Sequence, residues 1–156
     1  MTFRTFLLAQ AFGITAFNIA INSAYTSFLW RNEPQLMLGD IRADLVMTPI
    51  WIGLLSVLLG TFFIRKAFAD GTMLRDAGRR PHPILRQLPR RILTRSVVAA
   101  ALCAIAFALP LSLLLPLIGD GILTPAGAVG TKAIVTAIFS LLIVPLIVYA
   151  TTADAI

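Results

Sequence analysis

Apolar residues in this chain gather into four long runs, at about Phe6–Trp30, Leu45–Ile64, Val97–Ile118 and Ala133–Ala150. Short polar segments separate them. None of the runs shows the two-residue alternation of a barrel strand. A helix rises about 1.5 Å per residue, so each run can cross a hydrocarbon core of about 30 Å with some tilt. Backbone polar groups in lipid must bond within their own segment, which leaves the helix as the form these runs take. The pattern predicts an all-α polytopic membrane protein, a four-transmembrane-helix bundle. It fills residues 1–156 as a single membrane domain, with a basic loop at 65–95.

Composition agrees. The chain is 58% hydrophobic, above the roughly 45–50% of a soluble domain, so lipid rather than water is its expected solvent. The first run is expected to stay as a signal anchor. A cleaved signal has an apolar core of about 7–15 residues and a small-residue cleavage site, and this run is longer and offers no such site.

Charge sets the expected threading. Nine of the thirteen basic residues lie between Arg65 and Arg95, in the segment joining the second and third runs. The other two connections hold Arg31 and Arg42 against Glu33, Asp40 and Asp44, and Asp120 with Lys132 at its edge. Basic loops stay cytoplasmic, so the middle loop is expected inside, and both termini with it. Arginine almost displaces lysine, and Ala and Leu abound, as in proteins from GC-rich bacterial genomes. A multi-pass protein of a bacterial inner membrane is the expectation.

A weak echo runs through the chain. "GDIRADLVMTP" precedes the second helix and "GDGILTP" the fourth, while "RTFLLAQA" and "RSVVAAAL" open the first and third. Thr at the N-cap with Pro in the first helical position is a sound helix start. The echo reads either as a duplicated helical hairpin or as residues common wherever membrane helices begin.

The polar residues inside the runs carry most of the information. At 3.6 residues per turn, Thr15, Asn18, Asn22, Tyr25 and Thr26 share one face of the first helix, opposite Phe17, Ile21 and Phe28. A carboxamide without partners in lipid costs several kcal/mol, so this face should meet other helices. It serves either as interhelical glue or as the lining of a solute path or ligand pocket, with glue the leading reading.

Asp44, Asp120 and Lys132 are charges expected at the outer edge. Asp44 is either an interfacial carboxylate favoured by the helix dipole or an inward group meeting Asn22, Tyr25 or Lys132. Asp120 competes for the same lysine, and Lys132 can also simply snorkel to the interface. Small residues at Gly53, Ser56 and Gly60, and alanines at 99, 100, 101 and 104, predict close helix contacts. Pro110, Pro116 and Pro145 should each delete a helical hydrogen bond and bend their helix.

The segment "RRPHPILRQLPRRILTR" places Ile84, Leu85, Leu88, Ile92 and Leu93 at helical spacing among arginines. Arg79, Arg80, Arg86, Arg90, Arg91 and Arg95 are therefore expected contacts for anionic headgroups as well as topology signals. Nucleic acid is not an expected partner, because no aromatic residues interleave for base stacking.

The sequence carries no phosphate loop, nucleophile elbow or Cys/His cluster, and its one histidine, His82, lies in the basic loop. No enzymatic activity, cofactor or metal is expected. The leading expectation is a non-catalytic structural or accessory subunit, working through helix packing with its own copies or a larger membrane partner. The alternative is an oligomeric channel or facilitator for a small solute, lined by the Asn18/Asn22 face.

Overall fold

The computed structural model describes residues 3–71, 89, 91–119 and 121–154. It is 87% helical, with four helices long and apolar enough to cross a membrane. Helix α1 spans Phe3–Leu29 and α2 spans Leu38–Ala69. The third span, Ile92–Ile118, is composite. It joins α3 (Ile92–Cys103), a π-helical turn (Ala104–Ala108), α4 (Leu109–Leu114) and a 3-10 turn (Leu115–Ile118). Helix α5 spans Pro125–Asp154.

The helices outrun the apolar runs that predicted them. An apolar run marks the part a hydrocarbon core would cover, whereas helical bonding continues until a cap stops it. Thus α2 begins at Leu38 rather than Leu45, and α5 at Pro125 rather than Ala133. At the start of α2 the Asp40 carboxylate accepts the Met37 N–H at 2.8 Å, one half of a capping box. At the start of α5 the Thr124 hydroxyl accepts the Gly127 N–H at 3.1 Å, with Pro125 in the first helical position.

The echo between the even-numbered helices therefore marks different places. Thr124-Pro125 opens α5 as expected, but Thr48-Pro49 lies inside α2. The matching letters start one helix and fall inside the other.

In the third span the prolines coincide with changes of winding. The Leu109 N–H reaches back to the Ala104 carbonyl across the π turn, and Pro110 follows with no N–H to give. Pro116 sits in the 3-10 turn that ends the span, and Gly119, at φ 85°, turns the chain away. Helix α5 runs through Pro145 without interruption.

Helix α2 is the most buried of the four spans and α5 the next. Helix α5 packs against α1 and α2, while the third span packs mainly on α2 and meets α5 where the rings of Phe107 and Phe139 lie 5.2 Å apart. One stripe of α5, Ala128, Lys132, Thr136, Ser140, Val144 and Val148, is almost fully buried. The spacing of four residues is the helical ridge that packs into a neighbour's groove. Apolar clusters lie at both ends of this stripe. Phe6, Ala11, Ile14, Ile64, Val144 and Val148 form one, and Leu36, Ile41, Leu45, Leu115 and Ala128 the other. Between them, the middle of the bundle is polar along the α1 side.

The expected small-residue ridge on α2 does three different jobs. A Cβ added at Gly53 would lie 2.8 Å from Cys103 Sγ and 3.1 Å from the Ala99 carbonyl oxygen, so α2 and α3 meet there backbone to backbone. Ser56 bonds across to α1. Gly60 has ordinary room, with Ile14 and Ile147 each 3.6 Å from such a Cβ.

At the end of the bundle away from the Arg-rich segment, the two connections are clipped together. Residues Leu36–Met37 (β1) pair antiparallel with Ile122–Leu123 (β2), Leu36 opposite Leu123 and Met37 opposite Ile122. The Leu38 N–H adds a bond to the Gly121 carbonyl at 2.9 Å. This two-residue ribbon was not foreseen in the sequence, where neither segment alternates long enough to signal a strand.

Candidate functional site

Asn18 lies on the inner face of α1 because Thr15, Asn18, Asn22 and Thr26 recur at three- and four-residue steps. All four are buried. The Asn18 amide nitrogen donates to Ser56 Oγ on α2 at 3.1 Å and to Ser140 Oγ on α5 at 3.2 Å. One side chain thus ties three helices at the same level. Its carbonyl oxygen is buried without a partner among the described residues.

Asn22, one turn along, behaves differently. Its amide nitrogen donates to the Asn18 main-chain carbonyl at 2.9 Å, a bond within its own helix. A carbonyl can accept only from the NH2 end, so this bond also fixes which way the carboxamide points.

Tyr25 departs from the expected inward face. It is 53% exposed, although only about 20° of turn separates it from Asn18, because it stands in the wall of a groove beside α2. Ser112 sits half-exposed on α4 and donates to the Leu109 carbonyl at 2.7 Å.

The ion pair lies beyond the asparagines. Lys132 is 1% exposed, and its ammonium meets Asp44 Oδ1 at 2.5 Å and the Asp44 main-chain carbonyl at 2.9 Å. Of the alternatives for Asp44, the inward partner is the one found. The Thr48 hydroxyl donates to the same carbonyl at 2.8 Å, and the Thr26 hydroxyl makes a long contact with Asp44 Oδ2 at 3.4 Å. Pro49 follows at once and has no N–H for the preceding turn. This part of α2 is therefore held partly by side chains from α1 and α5. A proline five residues after an aspartate was the signal in the sequence, and reading Thr48-Pro49 as a helix start obscured it.

These groups border a groove of about 560 Å3 between α1 and α2. Deeper in the bundle α1 and α2 are tied directly by the Asn18–Ser56 bond, and the groove lies beyond that level. Tyr25, Trp30 and Trp51 contribute aromatic walls, Asn22, Asp40, Asp44 and Lys132 the polar groups, and Ile21, Met47 and Leu55 apolar surface. Asn18 is not part of the lining. The Asn18/Asn22 face is thus divided between a dry interhelical clamp and an open groove.

The remaining expected residues fall elsewhere. Asp120, Arg79, Arg80, Arg86 and Arg90 lie outside the described residues. Arg91 is exposed, beside Arg65 in a shallow pocket at the opposite end of the bundle. Arg95 corrects its expectation. It is buried, and its Nε donates to the Pro89 carbonyl at 2.9 Å, so it braces the entry to α3 rather than presenting itself to a headgroup.

No protein family, curated protein or solved structure matches this chain. The chemistry of the site is therefore read from its own geometry.

Proposed function

We propose that this is a non-catalytic integral membrane protein, acting as a structural or accessory subunit through packing with its own copies or a larger membrane partner. The observation that carries the reading is the Asn18 clamp. The most deeply placed carboxamide is spent on joining α1, α2 and α5, a use that stabilises a bundle without requiring a ligand. The third span adds a broad aliphatic flank, with Leu93, Val97, Ile105, Leu109, Leu113 and Leu117 all exposed. Such a surface suits either lipid or another helix.

In the same proposal the Arg-rich segment and both termini face the cytoplasm of a bacterial inner membrane, following the charge bias of the loops. Arginines of that segment, with Arg91 at its end, contact anionic headgroups. Each is worth about 1 kcal/mol near such a surface.

The test is the native assembly. Extraction of the tagged full chain in mild detergent, followed by native mass determination and identification of bound chains, should yield a defined oligomer or a stoichiometric partner. A monomer alone, recovered equally from cross-linked and untreated membranes, would overturn the reading.

A second reading has its own observation. Thr15 Oγ1, Asn18 Oδ1, Thr61 Oγ1 and Thr136 Oγ1 are buried without partners among the described residues. Buried polar atoms of this kind call for an explanation, and a small-solute path continuing inward from the groove would supply one. Solute flux into proteoliposomes, abolished by Asn22→Leu with the helical content unchanged, would favour this facilitator over the accessory subunit.

A further inference from the structure

The groove between α1 and α2 is amphipathic along its length. Its lining runs on α2 from Asp40 to Leu55, and from Trp30, just past α1, back along α1 to Ile21. Fifteen residues of rise make this roughly 20 Å. The end beside the loops holds Asp40, Asp44 and Trp30, and the deeper end holds Ile21, Trp51 and Leu55. A polar mouth leading to an apolar trough on the flank of a membrane bundle matches a lipid lying head outward, chain inward.

The polar mouth has a sign. Its lining includes two carboxylates and one ammonium, so one negative charge is left over. The Lys132 ammonium is the deeper of the pair, with its side chain 2% exposed against 15% for Asp44. What faces the groove is therefore mainly acceptor. Asp44 Oδ1 is engaged by Lys132, while Oδ2 has only the long Thr26 contact. Asp40, exposed, gives one oxygen to the Met37 N–H. Asn22 is 7% exposed and has committed its nitrogen, so its oxygen is the acceptor that remains. Tyr25, Trp30 and Trp51 supply ring faces, which attract a cation through their quadrupole.

We propose that this groove binds the primary-ammonium headgroup of a membrane lipid, with Asn22, Asp40 and Asp44 as acceptors and Tyr25, Trp30 and Trp51 as walls. A primary ammonium carries three N–H donors, and the groove offers three acceptor groups to receive them. A quaternary ammonium has none to give, and an anionic headgroup meets the surplus carboxylate. The proposal rests on the chain spanning a membrane but not on what it assembles with, so loss of lipid binding and absence of a partner are separate results.

The protein provides its own probe, because its two tryptophans, Trp30 and Trp51, both line the groove. The full chain in mild detergent is titrated with phosphatidylethanolamine, phosphatidylcholine and phosphatidylglycerol of identical chains, and with free ethanolamine. Tryptophan emission should shift saturably with phosphatidylethanolamine, at an affinity at least about tenfold above either other lipid. Asp40→Asn and Asn22→Leu should each weaken that binding severalfold, with circular dichroism confirming unchanged helix content. Tyr25→Leu, an exposed wall position, should weaken it about two- to fivefold, in keeping with a single cation–π contact. Equal binding of the three lipids, or retention of full affinity in both Asp40→Asn and Tyr25→Leu, would overturn the proposal. So would free ethanolamine binding as tightly as the lipid, which would make the ligand a soluble cation.

Discussion

Lys132 on α5 grips Asp44 on α2 at two points, the carboxylate at 2.5 Å and the main-chain carbonyl at 2.9 Å. The second contact is unusual for a lysine facing a helix, since helical carbonyls are normally satisfied from within. Here the Asp44 carbonyl is drawn into a side-chain network that also includes Thr48, one residue before a proline. The pair thus ties α5 to the turn of α2 that leads into Pro49.

Removing one partner should therefore cost far more than removing both. Asp44→Leu leaves the Lys132 ammonium buried without its counter-charge, a change expected to cost about 3–5 kcal/mol where a buried pair is broken. Lys132→Met should cost less, because Asp44 keeps some solvent contact. The double variant Asp44→Leu/Lys132→Met should regain most of the loss. Denaturant unfolding in mixed micelles measures all three, and a double variant as unstable as the sum of the singles would refute the coupling.

The two asparagines should separate in the same assay. Asn18→Leu removes bonds to Ser56 and Ser140, each worth about 0.6–2 kcal/mol between membrane helices. Asn22→Leu removes a bond to its own helix only and should destabilise less. A larger loss at Asn22 than at Asn18 would show that the clamp is misassigned.

Close approach of α2 and α3 gives a third expectation. Gly53→Ala forces a methyl to within 2.8 Å of Cys103 Sγ and 3.1 Å of a backbone oxygen, and overpacking of this kind typically costs about 1–3 kcal/mol. Gly60→Ala meets only ordinary contacts and should be neutral or mildly stabilising, since Ala is the better helix former. Thermal unfolding of the two variants side by side decides the matter. Equal effects would mean that the helices do not meet at Gly53.

The loop ribbon can be captured chemically. Leu36→Cys with Leu123→Cys places two thiols on directly opposed residues, where antiparallel Cα separations of about 4.5–5.5 Å fall within disulfide range. Mild oxidation should link them without loss of helix content, and no cross-link would argue against the pairing. Reporter fusions in 31–44 and 119–131 should then agree with each other, and fusions within 66–94 should report the opposite side.

Four helices, and the approximate course of each, were legible because hydrophobic run length is a local property of the chain. The bounds were less so. Asp40 and Thr124 begin the helices through hydrogen bonds that lie outside the apolar runs. The inward face of α1 could be read from the spacing of Asn18, Asn22 and Thr26, whereas Tyr25 shares that spacing and is still exposed, because its burial depends on the neighbouring helices.

By itself, the sequence determined that lipid is the expected solvent, that the spans are helical, and which residues on α1 had to find partners. Each follows from burial cost or periodicity along a single segment. Only the tertiary structure decided that Lys132 takes Asp44, that Asn18 clamps while Asn22 lines a groove, and that the loops pair at Leu36 and Leu123. Those outcomes depend on which helix lies beside which. Here α5 lies against both α1 and α2, and no pattern within one segment records those neighbours.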